Sequence, residues 1–275
     1  MKRILVPCDF SEPSKEAFKF AVAIASAAKG ELYLLHVVEV PVLHNSLLVP
    51  VQSYQASFLN EIKQKYNKNV QKLREQWAGK IKVHAHVEHG SVESGIRKFS
   101  DKKKIDLVVM GTHGVKGLRE YVVGSNTEKA VRNSKIPVIA VKKAPNLAAI
   151  KDIVFPTDFS AFEKNAIGWV RDFQKLLKAK LHIVFVNNPE NFTPDLEADK
   201  SLSEFVQGSQ FTNYTLNIFN DITEERGIVH FSQRFKNKIV VMPTSGRKGL
   251  NHFFNGSVTE EVLEKMNWPI FTFHK

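Results

Sequence analysis

The stretch Lys2-Arg-Ile-Leu-Val-Pro-Cys-Asp-Phe-Ser11 returns as Lys151-Asp-Ile-Val-Phe-Pro-Thr-Asp-Phe-Ser160, 149 residues on. Val108-Val-Met110 returns as Val240-Val-Met242, and Ile136-Pro-Val-Ile-Ala-Val141 as Trp268-Pro-Ile-Phe-Thr-Phe273, both 132 residues on. The chain is one unit written twice, and the second copy is 17 residues shorter in its middle. A repeat outranks other fold signals, because each copy must build the same supersecondary unit. The boundary falls in Lys142-Lys-Ala-Pro-Asn-Leu-Ala-Ala149, which gives domains at 1–143 and 150–275.

Each copy alternates short apolar runs with amphipathic stretches. In the first, strands are expected near 3–6, 32–38, 81–87, 105–110 and 137–141, with helices near 13–29, 54–78, 91–103 and 125–134. In the second, strands are expected near 152–155, 181–186, 213–219, 238–242 and 269–273, with helices near 161–178, 200–208, 222–236 and 257–266. Strand runs alternating with helices argue a parallel sheet covered on both faces. Local chemistry agrees. Ser11 suits an N-cap, Pro13 the first helical turn and Gly30 the C-terminal cap. Ala17, Ala21, Ala25 and Ala28 would let that helix lie close to the sheet. Ser160-Ala-Phe-Glu163 reads as a capping box ahead of the stripe Ile167, Val170, Phe173 and Leu177.

The 275 residues are 43% hydrophobic and 24% charged, which suits globular domains. No apolar run approaches the roughly 18 residues of a membrane span. The N-terminus enters a strand at once, without a secretory apolar region, and the one cysteine, Cys8, excludes a disulfide framework. A cytoplasmic protein without membrane partners is expected. The net charge is +11, but its Lys and Arg are scattered over helical faces. The densest run, Lys102-Lys103-Lys104, falls where cations suit a helix C-terminus, so nucleic acid is not the expected partner.

After the buried run Ile105-Asp-Leu-Val-Val-Met110 comes Gly111-Thr-His-Gly114, and ten residues later Gly124-Ser125. Glycines admit phosphate oxygens close to main-chain N–H groups, and a helix start at Ser125 adds a hydroxyl and the positive end of a dipole. The same glycines would also serve plain tight turns. GxxxxGK[ST] and GxGxxG in the first strand–helix turn are both missing, which excludes P-loop NTPases and the ordinary dinucleotide fold.

These residues resemble the universal stress protein family, whose mark is Gly-x-x-Gly, nine residues, then Gly-Ser/Thr. The opening strand with its Pro-Cys-Asp, Leu34-Leu-His-Val37 and the closing strand at 136–141 resemble it too. The likeness covers both copies. It implies two tandem five-stranded, parallel, Rossmann-like α/β domains forming an intramolecular pseudo-dimer through their last strands, residues 136–141 against 268–273. It also implies ATP or a related nucleotide as ligand in some members, with Mg²⁺ as a companion cation. By resemblance, Pro7, Cys8 and Asp9 border the nucleoside, and Val37 offers main-chain bonds to adenine. Met110 packs near the nucleoside, Gly111 and Gly114 approach the phosphates, and Gly124, Ser125 and Asn126 hold them. Asp9 has two readings from its own chemistry: acceptor for ribose hydroxyls, or cap of the following helix.

The second copy keeps Asp158, Gly246, Gly256 and Ser257 but has Pro243 where Gly111 stands, and proline removes a donor. Its site is expected to be degenerate. His84, His86 and Glu88 fall on one face of a strand and could converge on a metal, or simply form the polar face of an edge strand. His113, Lys116 and Lys248 could meet phosphate, and residues 41–50 could form a lid. No nucleophile–base–orienter set is present, so turnover is not expected. The reading is a stress-response protein that binds nucleotide in its first domain and acts through regulated partner binding. Its alternatives are a scaffold without nucleotide and a slow ATPase. Further dimerisation is left open.

Overall fold

The computed structural model describes residues 1–39, 51–112, 134–159, 161–244 and 268–274. The first half gives β1 (Arg3–Pro7), α1 (Glu12–Ala28), β2 (Glu31–Val38), α2 (Val51–Leu73), β3 (Val83–His89), α3 (Val92–Lys103), β4 (Leu107–Gly111) and β5 (Val138–Val141). The second gives β6 (Asp152–Pro156), α4 (Ala161–Leu177), β7 (Lys180–Asn187), α5 (Asp195–Val206), β8 (Tyr214–Asn220), α6 (Glu224–Gln233), β9 (Lys238–Thr244) and β10 (Ile270–His274). The helices expected at 125–134 and 257–266, and the capping box at Ser160, lie outside the described residues.

All ten strands form one sheet in the order β3-β2-β1-β4-β5-β10-β9-β6-β7-β8. Every pairing is parallel except the central one, where β5 and β10 run antiparallel with Phe271 opposite Ile139. This is the pseudo-dimer joint. Two short β-strands of high apolar content would each be an exposed edge alone, and pairing removes both edges. Thr272 Oγ1 donates to the Val138 carbonyl across the joint at 3.1 Å. Phe271 is fully buried and stacks on Phe173 with ring centroids 5.0 Å apart.

Alternate strand residues feed two cores. Ile4, Val6, Leu32 and Leu34 meet α1 and α2 on one face, while Leu5, Tyr33 and Leu35 meet α3 on the other. The second half repeats this with α4 and α5 against α6. Right-handed crossovers force the switch: α1 carries the chain outward from β1, whereas α3 carries it back across the sheet to β4. The C-terminal ends of β1 and β4 therefore flank a topological switch point, where open α/β sheets take their ligands.

The repeat extends to single residues. Phe10 and Phe159 both hold positive φ, 65° and 60°. Gly95 of α3 packs on Val37, and Gly227 of α6 packs on Val186. Ser11 caps α1 by accepting from the Ser14 N–H, with Pro13 in the first turn. Ala17, Ala21 and Ala25 are fully buried, so α1 lies close to the sheet; Ala28 is only partly covered. One cap differs from expectation. Lys29, not Gly30, takes the left-handed conformation at φ 51°. Gly30 is needed for a different reason: a Cβ there would overlap the Lys2 carbonyl.

Candidate functional site

The ladder between β1 and β2 ends with the Cys8 N–H donating to the Leu35 carbonyl at 2.8 Å. Main-chain groups of successive strand residues alternate between the two neighbouring strands. Leu32 bonds toward β3 and Leu35 toward β1, so the N–H and C=O of Val37 also aim toward β1. By then β1 has turned away at Cys8. Val37 thus presents a main-chain edge at the switch point. Its side chain stands off the sheet face, onto α3 at Gly95.

Asp9 is exposed at the turn from β1 into α1. Its Oδ1 accepts from the Ser11 N–H at 2.9 Å and from Ser11 Oγ at 2.6 Å. Partial burial pushes the carboxyl up, but the bonds from Ser11 outweigh it and hold the group below its usual value. Asp9 thus braces the cap residue Ser11 rather than capping α1 itself, and its carboxylate stays an ionised acceptor at this end of the sheet. Pro7 is the last ladder residue of β1, opposite Leu35. Cys8 is buried, with Sγ 3.6 Å from Ser14 Oγ. Burial pushes its thiol up, which keeps it protonated and unreactive.

Met110 is buried in the core under α3. Gly111 ends β4 opposite Val141, with its α-carbon against the first turn of α1. A Cβ there would overlap the Pro13 carbonyl. The missing side chain at 111 thus lets α1 start beside β4, a structural role that needs no phosphate. Gly114, Gly124, Ser125 and Asn126 lie outside the described residues. So do His113, Lys116, residues 41–50, and Gly246, Lys248, Gly256 and Ser257 of the second copy. Pro243 sits in β9 opposite Phe273, the register Gly111 keeps with Val141.

Three rings at this end of the first half were not legible as a group. Phe10 meets Tyr66 at 5.4 Å and His36 at 6.1 Å, and His36 stacks on Tyr66 at 5.4 Å. His36 Nδ1 lies 2.8 Å from the Cys8 carbonyl and so must donate to it, which fixes the ring against the end of β1. Tyr66 Oη donates to the Leu34 carbonyl at 2.8 Å. The second half has only phenylalanines in these places: Phe159 stacks on Phe185 at 4.9 Å and meets Phe205 at 6.4 Å. Aligning the two copies at the 149-residue offset pairs His36 with Phe185, and that polar–apolar contrast was the available signal.

The tempting His84, His86 and Glu88 set is engaged otherwise. His84 Nε2 is 3.0 Å from Glu31 Oε2, and its ring stacks on Tyr33 at 4.7 Å. His86 lies against Phe99 at 4.8 Å, and burial holds its imidazole below the usual value. All three side chains are only partly buried on the edge strand β3, and His86 meets α3 through Phe99. Among the described residues no group of three or more His, Cys, Asp and Glu is placed to hold a metal ion. No helix among them is long and apolar enough to cross a membrane.

Comparison with known proteins agrees with this architecture. A family model described as the universal stress protein family matches residues 1–142. A universal stress protein of Methanocaldococcus jannaschii is 36% identical over 142 residues, covering 52% of this chain and 82% of the relative. A universal stress protein of Synechocystis sp. is 24% identical over 293 aligned residues, covering 99% of this chain and all of its own. The solved structure of a universal stress protein from Archaeoglobus fulgidus superposes with a TM-score of 0.73 at 21% identity, covering 99% of this chain and 98% of its own. That last likeness concerns the fold, and it spans both halves. With a family model over more than half its length and a relative matched over most of its own, this chain belongs to the universal stress protein family.

Proposed function

We propose that the chain binds ATP or a related nucleotide in its first half and that occupancy of this site regulates binding to a protein partner. The observation that carries the reading is the main-chain edge of Val37 where β1 has ended its pairing at Pro7, with the ionised Asp9 carboxylate two residues further along the same chain end. A purine ring can pair with such an edge, and a ribose hydroxyl can donate to Asp9. Pro7 and Cys8 would form the floor, with Met110 behind it. Gly114, Gly124, Ser125 and Asn126 would supply the phosphate donors, in keeping with the family's motif. Gly111 would act mainly by letting α1 start where it does.

Residues 1–143 would form the nucleotide-binding unit and 150–275 a unit with a degenerate site. Two features support that asymmetry. Pro243 removes a main-chain donor where Gly111 has one, and Phe159, Phe185 and Phe205 replace a polar ring set with apolar bulk. The single buried thiol suits a reducing cytoplasm.

The test is mass spectrometry of small molecules released on denaturing the purified full-length chain. Release of a stoichiometric purine nucleotide supports the reading. A chain that carries none and binds none on titration is a scaffold instead, and phosphate release from ATP in proportion to protein marks a slow ATPase.

A further inference from the structure

The register of β6, β7 and β8 brings a carboxylate, an imidazole and a hydroxyl into one line. His182 lies between Val154 and Thr215 in the pairing, and Asp152 stands two residues before Val154 on the same face. His182 Nε2 is 3.0 Å from Asp152 Oδ1, and its Nδ1 is 2.8 Å from Thr215 Oγ1. A carboxylate can only accept, so Nε2 carries the hydrogen and, in the neutral ring, Nδ1 is the acceptor. Asn217 Nδ2 donates to Thr215 Oγ1 at 3.1 Å, which leaves the hydroxyl hydrogen for Nδ1. The order is that of a nucleophile, its base and the group that orients the base. Sequence spacing does not display it, because the three residues come from three strands.

Exposure is graded as such a site needs. His182 is 6% exposed, and the Phe235 ring stacks on it at 4.0 Å, which locks the imidazole. Thr215 is partly exposed on β8, the outermost strand of the sheet. The Leu181 N–H donates to the Asn213 carbonyl at 3.0 Å, so residues 213 and 215 turn their main chain to β7. Leu216 then turns its N–H to the open side of the sheet, one residue after the hydroxyl. The first half has Tyr33 opposite His84 in this register and Arg3 in the place of Asp152, so these three side chains are not repeated there.

We propose that Thr215, His182 and Asp152 form an acyl-transfer site that cleaves activated esters through an acyl-threonine. A bond forms from Thr215 Oγ1 to the substrate's carbonyl carbon while the hydroxyl proton passes to His182 Nδ1. The C–O bond to the leaving group breaks, and the departing alkoxide takes that proton. Water then adds to the acyl carbon and gives a proton to Nδ1, and Thr215 leaves as the hydroxyl. The net change is ester plus water to acid plus alcohol. Asp152 holds the Nε2 hydrogen throughout and stabilises the imidazolium. The Leu216 N–H is the main-chain donor next to the nucleophile for the oxyanion. The site stands apart from the nucleotide reading of the first half, and the two fail separately.

The experiment treats the full-length chain with a fluorophosphonate, which loses fluoride to an activated hydroxyl and leaves a stable phosphonate ester. Peptide mass spectrometry maps the adduct, and saturable hydrolysis of p-nitrophenyl acetate is followed alongside. An adduct on Thr215 is expected, and T215S should keep it. T215V preserves the side-chain shape; it should lose the adduct and cut the saturable rate at least about ten-fold. D152N should slow labelling and hydrolysis by about ten-fold or more. Melting curves matching the wild type show that the variants fold. An unlabelled Thr215 in the wild-type chain overturns the proposal whatever the variants do. A saturable rate that folded T215V or D152N leaves unchanged also overturns it, and makes the three side chains a packing arrangement.

Discussion

Gly95 sits on the face of α3 that meets β2, and a Cβ built there would lie 2.8 Å from Val37 Cγ2. Alanine at 95 gains roughly 1 kcal/mol of helix propensity. The overlap, however, forces Val37 or the helix to move by several tenths of an ångström, and overpacking of this kind costs about 1–3 kcal/mol. G95A should therefore lose up to about 2 kcal/mol in urea unfolding. The displaced residue is Val37, whose main chain is the proposed base-reading edge. G95A should also weaken purine affinity, by about ten-fold for a 1.4 kcal/mol disturbance. G227A makes the same contact with Val186 in the second half. It should be at least as destabilising, since its overlap is closer, yet leave purine affinity unchanged. G95A/V37A removes the clash while keeping the main-chain groups, and should recover most of the affinity. Calorimetric titration with unfolding curves on all four proteins reads both effects. A G95A protein that is destabilised but binds purine as the wild type does would refute the assignment of that edge, and no destabilisation in either alanine variant would refute the packing argument.

Lys238 at the start of β9 is nearly buried, donates to the Phe235 carbonyl at 2.8 Å, and lies 3.7 Å over the Trp268 ring. Burial holds its amine down at about 8, against the upward pull of Asp152. The folded chain then binds fewer protons than the unfolded chain between about pH 8 and 10.5, so Lys238 makes stability rise with pH across that window. K238M should abolish that rise and be more stable at pH 7 by up to about 3 kcal/mol; urea unfolding at pH 7 and 10 that shows the same pH dependence in both proteins contradicts it. F271A empties a fully buried ring site at the joint between the halves and should cost about 3–5 kcal/mol in calorimetric unfolding; a loss below about 1 kcal/mol would mean that β10 contributes little to the joint. D9N keeps the shape of the turn but not the charge. It should weaken purine affinity and remove a stabilising contribution that is present above the carboxyl's unfolded value and fades as pH falls through its lower folded value. Unchanged affinity in D9N leaves Asp9 only as a brace for the Ser11 cap.

The repeat made most of the fold legible, because each element carried two independent sequence witnesses. The pairing of residues 136–141 with 268–273 was implied by the family resemblance and favoured by an apolar strand unsuited to an exposed edge, and β5 and β10 show it. Boundaries drifted where one local interaction outweighed periodicity. β3 begins at Val83 rather than 81, because the Ile81 N–H closes a turn onto the Ala78 carbonyl at 2.9 Å. α5 begins at Asp195 rather than 200, because its acidic first turn after Pro194 reads as loop while the buried stripe starts only at Ala198. Gly111 was read for phosphate approach and Gly30 for a helix cap, yet at both a Cβ would overlap other backbone, which a linear sequence does not display. The Phe10, His36 and Tyr66 cluster comes from three elements far apart in the chain, so no spacing announces it. The role of Asp9 was stated as two alternatives, and the structure gives the cap to Ser11, with Asp9 bracing it, without deciding the ribose contact.

The central claim is an intact purine-nucleotide site in the first half alone, and isothermal titration of ATP into the full-length chain measures it most directly. One site per chain is predicted, lost when Gly114 and Gly124 are both replaced by leucine in a protein whose melting temperature is preserved. Two equivalent sites, or an affinity indifferent to those replacements, would contradict it.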